Sequence, residues 1–271
     1  MSLNVLRRAW RANSCATIAL IVTSCGGESV GQKTSYAVTV VDGIPGVVAT
    51  PPPPPPPPPT STPVPVAPLE GATTGVIVQA GDSIGVGLGA DDWAAINHLG
   101  FVDTVRIHNV SVSGIAMQAG YGQRVADLFI FYSSKSPSIL LIQQGTNDLY
   151  YGTKASTLYR SILSPFVSSA RAAGFYVVVD SILPRSDSGW TAAMEQQRVS
   201  YNALVRSNGA YADAINDIAA DPLIGDSINP TTSTYYADAL HLTLSGQQRL
   251  ATLNAAVLGP LLQRSVRPPQ R

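Results

Sequence analysis

Ser83 stands where a serine could act as a nucleophile. It closely follows the apolar run of residues 76–78, which is typical of a buried strand, and it precedes a glycine-rich stretch at residues 85–89. Functional groups of open α/β sheets collect at the carboxyl ends of strands. A serine hydroxyl attacks a carbonyl carbon once a base removes its proton. This segment alone also allows a simpler interpretation, in which Ser83 only caps the helix that follows.

Two short motifs overlap this serine, and their context argues against both. Residues 81–85 fit G-x-S-x-G, the nucleophile elbow of α/β-hydrolases, but that fold places strands and an oxyanion loop before its serine. Only a proline-rich spacer and one predicted strand precede Ser83. Residues 85–90 fit the dinucleotide fingerprint G-x-G-x-x-A, which needs an acidic residue about twenty positions later. Residues 107–109 supply Ile, His and Asn there, so we expect no dinucleotide and no other cofactor.

Four short blocks follow one another along the chain. They are Gly-Asp-Ser-Ile at 81–84, Ser-Val-Ser-Gly ending at Gly114, Gly-Thr-Asn-Asp at 145–148 and Asp-Ala-Leu-His at 238–241. In order and spacing they resemble the four blocks of the SGNH (GDSL-type) hydrolases, over about residues 76–253. Ile84 stands where Leu is commoner, which is a volume-conserving change. The resemblance implies a flavodoxin-like three-layer α/β/α sandwich with a parallel sheet, and esterase chemistry.

The resemblance also implies a role for each site residue. Ser83 is the nucleophile, His241 is its base, and Asp238 orients the imidazole and stabilises its charged form, as in a serine hydrolase triad. The backbone amides of Ser83 and Gly114 and the side chain of Asn147 would donate hydrogen bonds to the oxyanion. These roles fit the chemistry, because neutral histidine is the side chain suited to take a hydroxyl proton near pH 7.

Other polar residues are expected to be structural. The three histidines show no metal-ligand spacing with one another or with a cysteine, so we expect no metal site, and His98 and His108 are interpreted as surface or packing residues. Asp82 and Asp148 are interpreted as turn-forming or capping residues. A second Gly-Asp-Ser tripeptide ends at Ser227, but no strand of adequate length precedes it, and it is expected to be loop.

The expected activity is hydrolysis of carboxylic esters through an acyl-enzyme on Ser83. Short-chain esters, or O-acetyl groups on glycans, are favoured because no long apolar lid segment is visible. The alternatives are a lipid or aryl esterase, an acyltransferase with the same residues, and a non-catalytic lipoprotein that binds the cell envelope. Four residues that follow strand ends could line the substrate pocket or lie on the surface: Met117, Tyr150, Tyr151 and Arg185.

The elements that must position these residues alternate along the chain. Apolar runs at 75–79, 104–110, 138–143 and 175–182 predict strands. Spacing of apolar residues predicts a helix before Gly174 that Pro165 kinks or restarts, a second helix over 192–207, and a third over 245–258 with Ser245 as its N-cap. Alternating strands and helices are typical of a parallel α/β sheet. One catalytic domain over residues 71–271 accounts for all of them.

The first 70 residues predict export and anchoring. Arginines precede a short apolar run that ends in Val-Thr-Ser-Cys, which resembles the lipobox of bacterial lipoproteins, so residues 1–24 are interpreted as a signal peptide and Cys25 as the lipidated residue. Residues 25–70 are rich in Pro, Gly, Ser and Thr, and the nine prolines at 51–59 predict a stiff spacer of roughly 28 Å. The protein is therefore expected on the bacterial cell envelope, outside the cytoplasm.

The charge balance excludes one class of partner. The 271 residues carry 17 basic and 17 acidic side chains, for a formal net charge of zero. No basic cluster lies outside the first dozen residues. Without a positive field the chain has no attraction for a polyanion, so nucleic acid is not an expected partner.

Overall fold

The computed structural model describes residues 74–89, 94–101, 105–119 and 125–270. The predicted signal peptide, Cys25 and the proline-rich spacer lie outside these residues. No helix among the described residues is long and apolar enough to cross a membrane.

The described residues form one five-stranded sheet in which every neighbouring pair is parallel. The strands are β1 (Gly75–Gly81), β2 (Val105–Asn109), β3 (Ser138–Gln143), β4 (Tyr176–Asp180) and β5 (Ala214–Asn216). Their order is β2-β1-β3-β4-β5, which is the flavodoxin-like order. The predicted fold class is therefore confirmed, and β1, β3 and β4 are buried along their whole length.

Helices cover both faces of this sheet. They are α1 (Ser83–Val86), α2 (Thr146–Tyr150), α3 (Ala155–Thr157), α4 (Ser164–Ala172), α5 (Ala192–Ser207) and α6 (Leu244–Leu262), with a π-helical turn at Leu158–Leu163 and 3₁₀ turns at Ala95–His98, Val125–Phe131 and Ile218–Ala220. Side chains of α4 and α5 pack on one face against alternate strand residues such as Val78 and Leu140. The end of α6 packs on the other face against the intervening residues, such as Ile77 and Leu141. One apolar core thus lies on each face of the sheet.

The strand predictions succeed for four of these five strands. The predicted bounds 138–143 are those of β3, and the other three predicted runs differ from the observed strands by one or two residues at an end. The fifth strand, β5, was not predicted. It has three residues, which is too short for an alternating or continuous apolar pattern to stand out.

Two of the three predicted helices agree with the structure, and the third begins and ends at other residues. The bounds of α5 agree with the prediction, and Pro165 lies in the first turn of α4, directly after the π-helical turn, so the helix restarts there. The prediction that Ser245 caps the last helix is wrong. Thr243 is the N-cap, because its Oγ1 accepts from the Gly246 amide at 3.2 Å, and the helix extends through Pro260 to Leu262.

Candidate active site

The nucleophile position is built by the end of β1 and the start of α1. Strand β1 ends at Gly81, and α1 begins at Ser83, which is 6% exposed. Asp82 is the N-cap of α1, because its Oδ1 accepts from the Ile84 amide at 3.0 Å. Asp82 thus has the capping role expected of it, and Ser83 is held at the carboxyl edge of the sheet.

Three other elements hold α1 in place. The carbonyl of Gly85 accepts from Gln79 Nε2 of β1 at 3.0 Å and from Asn109 Nδ2 of β2 at 2.9 Å. Gln247 Nε2 of α6 donates to the carbonyl of Ile84 at 3.0 Å. Buried amide contacts of this kind restrict motion because a broken one would leave an unpaired polar group. The serine therefore lies on a rigid support.

The serine hydroxyl contacts a histidine from the other end of the chain. Ser83 Oγ lies 3.0 Å from His241 Nε2, and His241 Nδ1 lies 2.8 Å from Asp238 Oδ2. These distances allow the imidazole to accept the hydroxyl proton on one nitrogen while the carboxylate holds the proton on the other. The structure thus brings together the three residues to which the resemblance assigns a triad.

Asp238 is also held by its own loop. Its Oδ1 accepts from the amides of Leu240 and His241 at 2.7 and 2.6 Å. Partial burial alone would raise the pKa of Asp238, but the hydrogen bonds from the backbone and ring of His241 and from the backbone of Leu240 outweigh it and hold the pKa below its usual value. Asp238 is therefore a carboxylate at neutral pH and can only accept hydrogen bonds.

A second carboxyl group, that of Asp82, lies directly beside Ser83. Burial raises the pKa of Asp82 from its usual value to about 6, although the Ile84 amide and the charges of His241 and Arg185 act in the opposite direction. The carboxyl group of Asp82 is turned to the Ile84 amide rather than to Ser83 Oγ. Its role in the site is therefore to hold the turn.

The resemblance assigns two backbone amides, those of Ser83 and Gly114, to the oxyanion hole. Within the described residues, neither the Ser83 amide nor the Gly114 amide donates a hydrogen bond. Gly114 lies in the turn that follows β2, and an ideal Cβ built there would meet no atom within 4 Å. The space around Gly114 is thus open to a substrate.

Asn147 occupies the first turn of α2, at the end of β3. Gly145 leads into this helix with a φ of +122°, and a Cβ there would lie 2.8 Å from Ile182 Cδ1, so the tight turn requires glycine. Asn147 Nδ2 donates to the carbonyl of Ile115 at 3.0 Å. An amide nitrogen carries two protons, so the second proton of Nδ2 remains for an oxyanion.

Asp148 fixes the loop that carries Gly114. Its two carboxylate oxygens accept from the amides of Met117 and Gln118 at 2.7 and 2.9 Å. Burial raises the pKa of Asp148, and these two amides oppose the rise. Asp148 therefore acts as a structural residue, as expected, and ties the loop after β2 to α2.

The four candidate pocket residues have different environments. Met117 is fully buried in the core, so the prediction that it lines the pocket or lies on the surface is wrong. It was misplaced because a single methionine in a loop gives no periodic signal of burial. Tyr151 is 66% exposed and Tyr150 is partly buried. Arg185 is 7% exposed and lies between aromatic rings.

The remaining candidates lie in turns or pack against other side chains. Ser227 is in an exposed turn after Asp226, and Asp226 pairs with Arg198, so the second Gly-Asp-Ser tripeptide is loop as expected. His108 stacks on Phe131 with ring centroids 4.3 Å apart, which is a packing role. His98 ends the 3₁₀ turn at Ala95–His98.

The glycines after Ser83 do not form a dinucleotide site. In that motif the glycines open a helix, whereas α1 begins at Ser83, contains Gly85 in its interior and ends at Val86, with Gly87 as its left-handed C-cap. Among the described residues, no group of three or more His, Cys, Asp or Glu side chains could hold a metal ion.

Sequence reasoning missed a glycine that lies against the loop of His241. Gly89 has a φ of +103°, and a Cβ there would lie 2.7 Å from the carbonyl oxygen of Leu242 and 3.0 Å from His241 Cβ. Only glycine allows the two loops to approach so closely. The signal was the glycine-rich stretch at residues 85–89 itself, which also fits the dinucleotide fingerprint.

Sequence comparison identifies a protein family that matches this chain. The profile of the GDSL-like lipase/acylhydrolase family matches residues 80–249. This range contains Ser83, Gly114, Asn147, Asp238 and His241. No protein of curated function matches the chain.

Solved structures with the same fold include several esterases and lipases. TesA is 22% identical, with 69% of this chain and 99% of that chain covered and a TM-score of 0.52. The psychrotrophic esterase EstA from Pseudoalteromonas sp. is 18% identical, with 70% and 99% covered and a TM-score of 0.51. A GDSL-like lipase from Bacteroides thetaiotaomicron VPI-5482 is 17% identical, with 69% and 89% covered and a TM-score of 0.54. At this level of identity the likeness supports the fold.

Proposed function

This chain belongs to the GDSL-like lipase/acylhydrolase family, and from that premise we propose that it hydrolyses carboxylic esters through an acyl-enzyme on Ser83. The observation that carries the proposal is the 3.0 Å contact between Ser83 Oγ and His241 Nε2, with Asp238 on the other ring nitrogen. A protein that only binds its ligand has no need of a base that is both oriented and in contact with a serine hydroxyl.

The reaction follows from the positions of these groups. Ser83 Oγ attacks the carbonyl carbon as its proton passes to His241 Nε2, and the charge that develops on the carbonyl oxygen is met by the amides of Ser83 and Gly114 and by Asn147 Nδ2. His241 returns the proton to the leaving alcohol, which leaves an acyl group on Ser83. Water then attacks the acyl carbon with His241 again as base, and the carboxylic acid and free serine are released.

A labelling experiment tests this proposal. A fluorophosphonate should react with Ser83, because only a base-activated serine is nucleophilic enough, and EstA is inhibited by the related monoethylphosphonate. We expect label and ester hydrolysis to be lost in Ser83→Ala and in a folded His241→Ala variant. Ser227→Ala is the matched control, since Ser227 follows the same Gly-Asp dipeptide. Label on Ser227, or equal label without His241, would contradict the assignment.

For the substrate we propose short-chain esters, with O-acetyl groups on glycans as the favoured class. The supporting observation is that the acid–base side of the triad is open to solvent: the side chains of Asp238 and His241 are 56% and 21% exposed. An open site admits a bulky alcohol portion, such as a sugar chain, that a deep pocket would exclude. Aryl esters of increasing acyl length, tested beside acetylated glycans, measure the preference. Addition of an acceptor alcohol to the same assay distinguishes hydrolysis from acyl transfer.

For the location we propose export and attachment to the cell envelope through lipid on Cys25. The support is the sequence alone, in which a charged segment and a short apolar run end in Val-Thr-Ser-Cys. The spacer at residues 25–70 would hold the catalytic domain away from the membrane surface.

A further inference from the structure

Arg185 has an unusual environment in the segment between β4 and α5. Its side chain is 5% exposed, and its guanidinium lies over two aromatic rings, 4.6 Å from the centroid of Tyr150 and 4.8 Å from the centroid of Trp190. A planar cation between two aromatic faces is held strongly when water is excluded. This side chain is therefore fixed in one position.

The guanidinium also joins its own segment to the turn that begins α2. Arg185 makes two hydrogen bonds to Asp187, from Nε at 2.6 Å and from Nη2 at 2.8 Å. Its remaining terminal nitrogen, Nη1, donates to Thr146 Oγ1 at 3.3 Å. Thr146 is the neighbour of Asn147, and Tyr150 ends the same short helix. Arg185 thus contacts both ends of the helix that carries Asn147.

The next residue in the segment contacts the loop of the base. The Ser186 amide donates to the carbonyl of Ala239 at 2.9 Å, and Ser186 Oγ donates to the carbonyl of Pro230. Ala239 lies between Asp238 and His241. The segment around Arg185 therefore touches the oxyanion side of the site through one residue and the acid–base side through the next.

The far end of the segment is anchored in the body of the domain. Trp190 Nε1 donates to Glu195 Oε2 at 3.0 Å, and Glu195 pairs with Arg198, which is 1% exposed. The ring that covers one side of Arg185 is thus attached to the first turn of α5. Movement of Arg185 is resisted from α2 on one side and from α5 on the other.

We propose that Arg185 is a positioning residue for the ester hydrolysis proposed above, because it holds the turn that carries Asn147 in register with the loop that carries Asp238 and His241. Its role rests on that proposed function. The physical reason is that an oxyanion donor and a base act together only at fixed separation, and a misplacement of about 1 Å can cost roughly 10² in rate. Arg185 does not touch the reacting atoms and acts through Asn147.

The test is a double-mutant cycle with Arg185→Met and Asn147→Ala. Methionine keeps a long side chain between the rings but lacks the guanidinium N–H donors that bind Asp187 and Thr146. Asp187 is 32% exposed, so its carboxylate stays hydrated when Arg185 is replaced. We expect Arg185→Met to lower kcat at least about tenfold with KM changed less than about threefold. In the Asn147→Ala background the same change should lower kcat less than about threefold, because the residue through which it acts is gone.

Arg267→Met is the matched control. Arg267 also stacks on an aromatic ring, 4.2 Å from the centroid of Tyr176, and pairs with Asp213, but it lies at the opposite edge of the sheet, beside the start of β4. We expect it to lower the melting temperature and leave kcat unchanged. Loss of stability in Arg185→Met that accounts for its loss of activity, or equal losses of kcat in both backgrounds, would overturn the proposal.

Arg185→Lys provides the test if the methionine variant does not fold. Lysine keeps the charge and cannot form the two-pronged contact. We therefore expect Arg185→Lys to melt at the same temperature as the parent and to lose at least about threefold in kcat. An unchanged kcat in Arg185→Lys overturns the proposal. A parent protein that hydrolyses no ester and takes no fluorophosphonate label would instead overturn the proposed function, and the positioning role with it.

Discussion

At the scale of the residue, the two protons on Asn147 Nδ2 have different partners. One is donated to the carbonyl of Ile115, which joins α2 to the loop after Gly114. The other has the oxyanion as its proposed acceptor. Asn147 is therefore part of the scaffold and, in the proposed mechanism, part of the chemistry, and a single substitution would remove both contacts. Kinetics and stability have to be measured on the same variant to separate the two roles.

We predict that Asn147→Ala lowers kcat more than it raises KM, because the contact to an oxyanion strengthens as charge develops. Loss of one such donor costs about 2.7 to 4 kcal/mol, or roughly 10² to 10³ in kcat. The measurement is steady-state hydrolysis of a short-chain ester beside thermal denaturation. A variant that melts like the parent and keeps more than about a third of its kcat would exclude Asn147 from the oxyanion hole.

At the scale of the element, the loop of His241 reaches Ser83 because the chain after α1 allows a close approach. Gly89 lies against the carbonyl of Leu242 and the Cβ of His241, in a backbone conformation that favours glycine. Helix α6 starts directly after this loop, with Thr243 as its cap. The base is therefore held between the end of α1 and the start of α6.

We predict that Gly89→Ala lowers both the melting temperature and kcat. A positive φ costs a non-glycine residue about 1 to 3 kcal/mol, and the added Cβ also has to displace the Leu242 carbonyl and with it His241. The loss of kcat should be roughly tenfold or more. Circular dichroism melts and ester hydrolysis measure the two effects.

Gly152→Ala is the control for backbone strain alone. Its φ is +92°, close to that of Gly89, but a Cβ there would meet no atom within 4 Å. It should lose stability in the same range and keep its kcat. Equal kcat in both alanine variants would show that the approach of Gly89 to the His241 loop does not matter for activity.

At the scale of the whole molecule, the carboxyl edge of the sheet buries polar side chains behind the site. Asp180 at the end of β4 is 2% exposed, and its Oδ1 accepts from Asn216 Nδ2 at 3.0 Å. Asn216 also donates to Asn254 of α6 at 2.8 Å. Burial raises the pKa of Asp180 to about 8, against the opposing effect of the Asn216 hydrogen bond. Asp180 is therefore mostly protonated at neutral pH.

This raised pKa predicts a stability that falls as pH rises. Between about pH 4, where the unfolded carboxyl loses its proton, and about pH 8, where the folded one does, the folded state binds more protons, so the free energy of unfolding decreases with pH. Asp180→Asn has no ionisable group there, and we expect its free energy of unfolding to decrease less between pH 5 and pH 8.5. Urea unfolding of both proteins at the two pH values checks this. Parallel decreases would contradict a buried neutral carboxyl at position 180.

The anchoring proposal also belongs to the whole molecule. We predict that the mature protein carries lipid on Cys25, so intact-mass measurement of membrane-extracted protein should show a diacylglyceryl modification. Cys25→Ala should lack this mass and fail to stay with the membrane fraction, because an acyl anchor binds a bilayer through its buried methylene groups. A parent protein of unmodified mass in the soluble fraction would contradict the proposal.

The sequence by itself determined the features that depend on residues close together in the chain, namely the strands and helices. The apolar runs predicted four of the five strands, and the bounds of α5 followed from its helical spacing, because burial and periodicity are local properties of the chain. The four short blocks predicted which residues would meet at the carboxyl edge of the sheet. Strand β5 was missed because three residues carry no pattern, and the cap of α6 was misplaced because Thr243 and Ser245 are both good caps.

Tertiary structure alone decided the contacts between residues far apart in the chain. Nothing near Gln247 in sequence indicates that its amide supports the helix of Ser83, and nothing near Arg185 indicates that it lies between two aromatic rings beside Thr146. The same holds for Gly89 and the His241 loop. Such contacts form only when the parallel sheet brings separate strand ends together, because their geometry depends on where the backbone of each element lies. The sequence therefore predicted the residues for which we propose a reaction, and the fold decided what holds Ser83 and His241 in contact.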